Sequence, residues 1–211
     1  MSSFQPLPRA FFDRPTLLVA EQLLGMRLVR IENQRRLSGF IIETEAYIGE
    51  DDQGCHARAG LTPRTKVMYG PPGHAYVYFT YGMHWLLNFV TEREGFPAAV
   101  LIRAVQLDEG EELVAQRRNG QPRHLWTNGP AKLCQAFNID GGWNGYDLCQ
   151  PNALLYVESL PDGSPFLPLS VTTTPRVGLY SVQEPWRSIP WRFVGSPIST
   201  SAIGQREVPD T

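Results

Sequence analysis

Two runs rich in aromatic and β-branched residues, Ala75–Thr80 and His84–Val90, stand on either side of the tripeptide Tyr81-Gly82-Met83. A three-residue connection containing glycine can join two strands only as an antiparallel hairpin, because parallel strands need a crossover of about a dozen residues or more. That pair fixes the direction of whatever packs beside it. Further strands are expected at residues 26–31 and 38–48, around the polar turn Gln34-Arg35-Arg36. Another is expected at 98–105, apolar almost throughout and therefore central. Shorter strands follow at 154–158, 175–179 and 191–194. Three stretches read as helices: 16–24, with Asp13 as cap and Gly25 just past the end; 108–118; and 129–137, with Asn128 as cap and Pro130 in the first turn. Residues 49–73 lack periodicity and form a long loop of the kind that usually carries function. Glycine and proline, 19 and 18 residues, punctuate the chain without a repeat or a linker. The fold class is therefore α+β, one mixed domain with antiparallel pairing.

Several functions are disfavoured at this level. No eighteen apolar residues run together and residues 1–12 hold no apolar core of signal-peptide length, so neither membrane insertion nor secretion is expected. Cys55, Cys134 and Cys149 are odd in number and lack C-x-x-C spacing, which points to reduced thiols rather than a disulfide framework or structural zinc. His56, His74, His84 and His124 have no ligand spacing, so no metal is expected. Gly70-Pro71-Pro72-Gly73-His74 lacks the lysine and following helix of a phosphate-binding loop.

The net charge of −2 hides an uneven distribution. All 21 acidic residues lie outside two windows, 53–91 and 113–139, which hold seven bases and all four histidines. An acid-free surface on an otherwise acidic protein still presents a local positive field to a polyanion. Seventeen of the nineteen bases are arginine, suited to bidentate contact with carboxylate or phosphate.

On strand 38–48, alternation sets Ile42, Thr44, Ala46 and Ile48 on one face and Glu43, Glu45 and Tyr47 on the other. Carboxylates two residues apart stand about 7 Å apart at Cα and influence each other's ionisation. A polar face turned to water explains the pattern equally well. Arg103 interrupts an otherwise apolar strand, and a buried arginine needs an anion. Glu43 or Glu45 on a neighbouring strand would supply it, either as a structural ion pair or as a carboxylate kept ionised to act as a base. Tyr76 and Tyr78 share a strand face, whereas Tyr81 falls at the hairpin tip beside Gly82 and Met83, where an exposed aromatic is a natural wedge between stacked bases. His56 in the acid-free loop and Asn88 on the partner strand can each donate and accept toward a polar ring edge.

The runs Ile-Ile-Glu-Thr-Glu-Ala-Tyr-Ile-Gly (41–49), Tyr-Val-Tyr-Phe-Thr-Tyr-Gly-Met (76–83), Val-Leu-Ile-Arg-Ala (100–104) and Gly-Pro-Ala-Lys-Leu-Cys-Gln-Ala (129–136) resemble the alkyladenine (3-methyladenine) DNA glycosylases of the mammalian type. Arg-Val-Gly (176–178) and Arg-Phe-Val-Gly-Ser-Pro (192–197) extend the resemblance over roughly residues 8–200. It implies a single glycosylase domain over 1–211, built on a curved antiparallel sheet with surrounding helices and a protruding hairpin. It also implies a monofunctional, cofactor-free, monomeric enzyme that flips alkylated or deaminated purines from double-stranded DNA and hydrolyses their N-glycosidic bond. By the same resemblance Glu45 is the general base, with Arg103 holding the carboxylate or the water. Tyr47 and Tyr78 sandwich the flipped base, His56 stacks on it or bonds its edge, and Tyr76 hydrogen-bonds near it. Asn88 crowds the exocyclic amine of guanine. Tyr81, next to Met83, fills the hole left in the duplex, and Thr62, Arg64 and Lys132 lie near the DNA backbone. His84 departs from the family pattern, which has tyrosine there. The expected location is the cytoplasm, at the nucleoid, in a bacterium and the nucleus in a eukaryote.

Two other readings fit part of the pattern. A non-catalytic protein that recognises distorted DNA shares the wedge and the basic windows. A carbohydrate hydrolase using Glu43 and Glu45 matches the paired carboxylates, but it leaves Tyr81 and the acid-free windows without a role.

Overall fold

The computed structural model describes residues 6–160, 162–167 and 169–197; the outer parts of the expected 1–211 domain, and the last three residues of the resemblance, lie outside them. Among the described residues, eight strands form one curled antiparallel sheet: β1 (Arg27–Glu32), β2 (Arg35–Ile48), β3 (Ala75–Thr80), β4 (His84–Val90), β5 (Ala98–Glu109), β6 (Leu155–Glu158), β7 (Leu169–Thr174) and β8 (Arg192–Pro197). The order is β3-β4-β5-β2-β1-β6, with β8 also on β2 and β7 on β8. β2 organises the molecule. One edge pairs with β5 along most of its length, while the other is shared, Arg35 to Phe40 with β1 and Glu43 to Glu45 with β8.

Where β2 changes partners, its ladder with β5 is irregular. Pairing steps from Ile41↔Val105 to Glu43↔Ala104 to Thr44↔Ile102, so Ile42 and Arg103 are each one residue in excess and the register is restored beyond them. Extra residues of this kind bend a strand and re-aim a side chain. The 43, 45, 47 alternation resumes past the bulge, which leaves Glu45 and Tyr47 on the face opposite Thr44 and Ala46. On that opposite face Thr44 is buried and its hydroxyl donates to the Ala20 carbonyl at 2.8 Å.

The helices α1 (Arg9–Phe12), α2 (Thr16–Gln22), α3 (Glu111–Arg117) and α4 (Pro130–Phe137) cover the sheet. Phe12, Leu23, Leu28, Ile41, Phe89, Ile102, Leu133 and Phe137 are fully buried between the layers. Each such side chain contributes about 1.5–3 kcal/mol. Among the described residues no helix is long and apolar enough to cross a membrane. The cysteines are free; burial pushes the Cys55 thiol up to about 12 and the Cys149 thiol up to about 11.

Several boundaries differ from those expected. Asp13 does not cap α2. It closes the short helix α1, its amide donating to the Arg9 carbonyl at 3.0 Å, while Pro15, which has no N–H, precedes Thr16. Asn128 does not cap α4 either: Gly129 occupies that position and the Asn128 side chain accepts from Lys132 Nζ at 2.9 Å. The turn between β1 and β2 tightens to Asn33 and Gln34, with φ of 48° and 63°, so Arg35 and Arg36 already belong to β2. β5 runs to Glu109 rather than 105, which delays α3 to Glu111. No strand forms at 175–179. Pro175 offers no N–H and Gly178 turns at φ 84°, so the strand lies just before, as β7. The long loop 49–73 contains two 3₁₀ turns, His56–Ala59 and Lys66–Tyr69.

Candidate active site

Arg103, the extra residue of the bulge, reaches both glutamates of the facing strand. Its Nε donates to Glu43 Oε1 at 2.6 Å and its Nη1 forms an ion pair with Glu45 Oε1 at 3.2 Å. Burial opposes the charge on Arg103, but Glu45 and then Glu43 outweigh it and raise the guanidinium pKa. Glu43 is shared with Arg192, whose Nε donates to the same oxygen at 2.6 Å. Two arginines thus balance two carboxylates, and the glutamates lie side by side on one strand rather than facing each other across a gap.

Glu45 is 0% exposed. Its Oε2 accepts from the Tyr47 hydroxyl at 2.8 Å, and its Oε1 accepts from the backbone amide of Val177 at 2.7 Å. Burial, followed by the Glu45 charge, raises the Tyr47 pKa well above that of an ordinary phenol, so this hydroxyl keeps its proton and donates it. Glu45 is not itself part of the lining of the adjoining cavity, but Tyr47, Arg103 and Val177 all are.

The cavity has a volume of about 330 Å³, within the range of small-molecule sites. Tyr47, His56, Tyr76, Tyr78 and Asn88 contribute to its wall, so the structure gathers every residue expected to hold a base. Tyr76 and Tyr78 lie with ring centroids 5.4 Å apart, and His56 meets Tyr78 edge-on at 4.5 Å. His56 Nδ1 is 3.0 Å from the Tyr76 hydroxyl. Burial, with help from Arg64 and Arg58, lowers the His56 pKa to about 4; burial raises that of Tyr76 to about 12. At neutral pH the His56 ring and the Tyr76 hydroxyl are thus both uncharged, and Arg103 is the charged group of the wall. Asn88 is held by its amide, which donates to the Tyr76 carbonyl at 3.0 Å.

Tyr81, on the rim, is 81% exposed, and Met83 beside it is also open. Arg64 is closer to the cavity than a backbone contact requires: its guanidinium lies 5.2 Å from the Tyr78 ring centroid and 3.4 Å from His56 Nε2. Thr62 instead shapes the loop, its amide donating to the Thr65 hydroxyl at 2.8 Å. Lys132 and Met83 line a second, larger groove of about 870 Å³ between the hairpin and α4. Nearly all of that groove comes from the two acid-free windows, with Met83, His84 and Trp85 from one and Arg117, Arg118 and Lys132 from the other.

Residue-by-residue reasoning on the sequence missed Asp52, Arg176 and the Val177 amide. Val177 lies 132 residues from Glu45, and the only available signal was the Arg-Val-Gly run at 176–178. Among the described residues, no three His, Cys, Asp or Glu side chains gather as a metal site.

The family profile of methylpurine-DNA glycosylase matches residues 10–197. A protein of Methanocella arvoryzae, provisionally named a 3-methyladenine DNA glycosylase, is 49% identical over 189 residues, covering 89% of this chain and 90% of its own. Proteins of the same provisional name from Desulfitobacterium hafniense and Chlamydia pneumoniae are 45% and 43% identical over 196 residues. They cover 89% and 92% of this chain, and 93% and 96% of their own.

Proposed function

Because this chain belongs to the methylpurine-DNA glycosylase family, and so is an N-glycosidic hydrolase acting on DNA, we propose that it extrudes damaged purines from the duplex into the tyrosine-lined cavity and hydrolyses them there. The observation that carries this reading is the position of Glu45, hydrogen-bonded or ion-paired to three residues of the cavity wall. A base inside a duplex hides its glycosidic carbon, and swinging it out costs a few kcal/mol of stacking and pairing. Tyr81 at the rim offsets part of that cost by filling the vacated space. The tyrosine faces then hold the purine; a cationic alkylated base gains on the order of 2 kcal/mol from such contact when desolvated. Asn88 beside the base excludes the exocyclic amine of guanine.

Hydrolysis requires a water aligned on C1′. Glu45 takes its proton, the oxygen–C1′ bond forms, and the glycosidic bond breaks with its electron pair leaving on the purine. Arg103 and the Val177 amide both engage Oε1, which leaves Oε2, bonded only to the Tyr47 hydroxyl among the described residues, as the oxygen to receive that proton. None of the lining side chains is a lysine, in keeping with direct hydrolysis rather than a Schiff-base lyase route. The lesions that fit this chemistry are 3-methyladenine, hypoxanthine and ethenoadenine, and the protein acts on them as a monomer.

The test is release of free base from duplexes carrying each lesion, followed by alkali cleavage at the abasic site. Glu45→Gln is expected to keep lesion binding and lose about 10²–10⁴ in excision rate, the usual contribution of a general base. A wild-type protein that binds these duplexes without releasing base is instead a damage-binding protein, and full turnover by Glu45→Gln removes Glu45 from the role.

A further inference from the structure

The side chains of Asp52 and Arg176 are both 0% exposed and are joined by two hydrogen bonds, of 2.5 and 2.7 Å. A buried ion pair is a weak source of stability, because desolvating both charges costs much of what their attraction returns. The surroundings of this pair point to a different use.

Arg176 Nη1 also donates to the Ala46 carbonyl at 3.0 Å, the peptide between Glu45 and Tyr47. Its guanidinium lies 4.7 Å from the Tyr47 ring centroid and 5.2 Å from that of Trp191. Asp52 accepts from the Ile48 amide at 3.2 Å and the Gly54 amide at 2.9 Å, tying the end of β2 to the loop that leads to His56. The residue after Arg176 is Val177, whose amide sits on Glu45 Oε1 at 2.7 Å. One buried fork therefore fixes the Tyr47 ring, the peptide preceding it, and the segment that delivers a donor to the carboxylate. Neither Asp52 nor Arg176 lines the cavity, so neither touches the base.

We propose that the Asp52–Arg176 pair is a positioning device for hydrolysis: it sets the Val177 amide and the Tyr47 hydroxyl on the two oxygens of Glu45 and so aims that carboxylate at the reacting water. The proposal rests on the role given to Glu45 above. Removing the pair lets the 176–178 segment and the Tyr47 ring relax together, and a misplacement of about 1 Å at a reacting group costs on the order of 100-fold in rate.

The experiment compares wild type, Asp52→Asn, Arg176→Lys and Val177→Pro. It measures single-turnover release of hypoxanthine from a duplex, affinity for the same duplex, and thermal midpoint. Asp52→Asn is expected to lower the rate about 100-fold while affinity stays within about threefold. Arg176→Lys keeps the charge but not the fork, and falls between it and wild type. Val177→Pro deletes the amide and leaves the buried pair in place, so it reads the same step even if Asp52→Asn does not fold; it is expected to lose rate without losing affinity. A folded Val177→Pro protein with the wild-type rate overturns the proposal, as does an Asp52→Asn or Arg176→Lys protein that loses stability but not rate per folded molecule. Absence of release by wild type overturns the hydrolytic reading and this proposal with it, whereas wild-type release undiminished in the variants overturns this proposal alone.

Discussion

Burial and the neighbouring guanidinium groups of Arg64 and Arg58 hold the His56 pKa near 4, against about 6.5 for a free imidazole, so the ring meets its ligand uncharged. In that state one nitrogen donates and the other accepts, which suits the edge of a purine and the Tyr76 hydroxyl 3.0 Å from Nδ1. Between pH 6.5 and 4 the unfolded chain binds a proton that the folded protein refuses. Stability should therefore fall as pH drops through that window and level off below it. Thermal midpoints measured across the window are expected to decline more steeply for wild type than for His56→Gln, and parallel curves would show that His56 titrates normally in the folded protein. Arg103 was legible in the sequence because a charge inside an apolar strand demands a partner, and Glu43 and Glu45 both answer it. Arg176 was not, since nothing in its spacing connects it to Asp52, 124 residues earlier, and only the fold brings the two together.

The β3–β4 hairpin matches its sequence signature to the residue, because three-residue connections leave few alternatives. Its tip is costly. Tyr81 has φ 52°, a left-handed conformation that a bulky residue avoids and that usually persists where function requires it. Tyr81→Gly relieves that strain, while glycine's greater freedom in the unfolded chain opposes the gain, so stability should change by no more than about 1 kcal/mol. Affinity for lesion duplex and excision rate should both fall. Wild-type binding and turnover in this variant would exclude the wedge. Elsewhere local signals failed where tertiary pairing competed with them. β5 runs four residues past the apolar segment because β2 continues beside it, and the 175–179 run lost its strand to a proline and a turn. Asp13 does not open α2 and Asn128 does not open α4, since Pro15 and Gly129 take those N-terminal cap positions.

For the molecule as a whole, the net charge of −2 says less than where the acids are missing. The two acid-free windows are separated in sequence, but β4 packs on α4 and brings them to opposite sides of one groove beside the wedge. Not every base there is free to meet a phosphate: Arg117 is paired with Glu32, whereas Lys132 has no carboxylate partner among the described residues and donates to the Asn128 side chain. If the groove carries the DNA backbone, Lys132 neutralises one phosphate and releases its counterion on binding. Lys132→Ala should then weaken binding to damaged and undamaged duplexes by the same factor, because a phosphate contact carries no information about the base. It should also flatten the dependence of log affinity on log salt by about 0.9, the contribution of one phosphate contact in duplex DNA. Affinities measured from low to moderate salt decide the matter. A selective loss on the lesion duplex would move Lys132 to the base site, and an unchanged slope would mean that the backbone runs elsewhere and that the meeting of the acid-free windows serves another purpose.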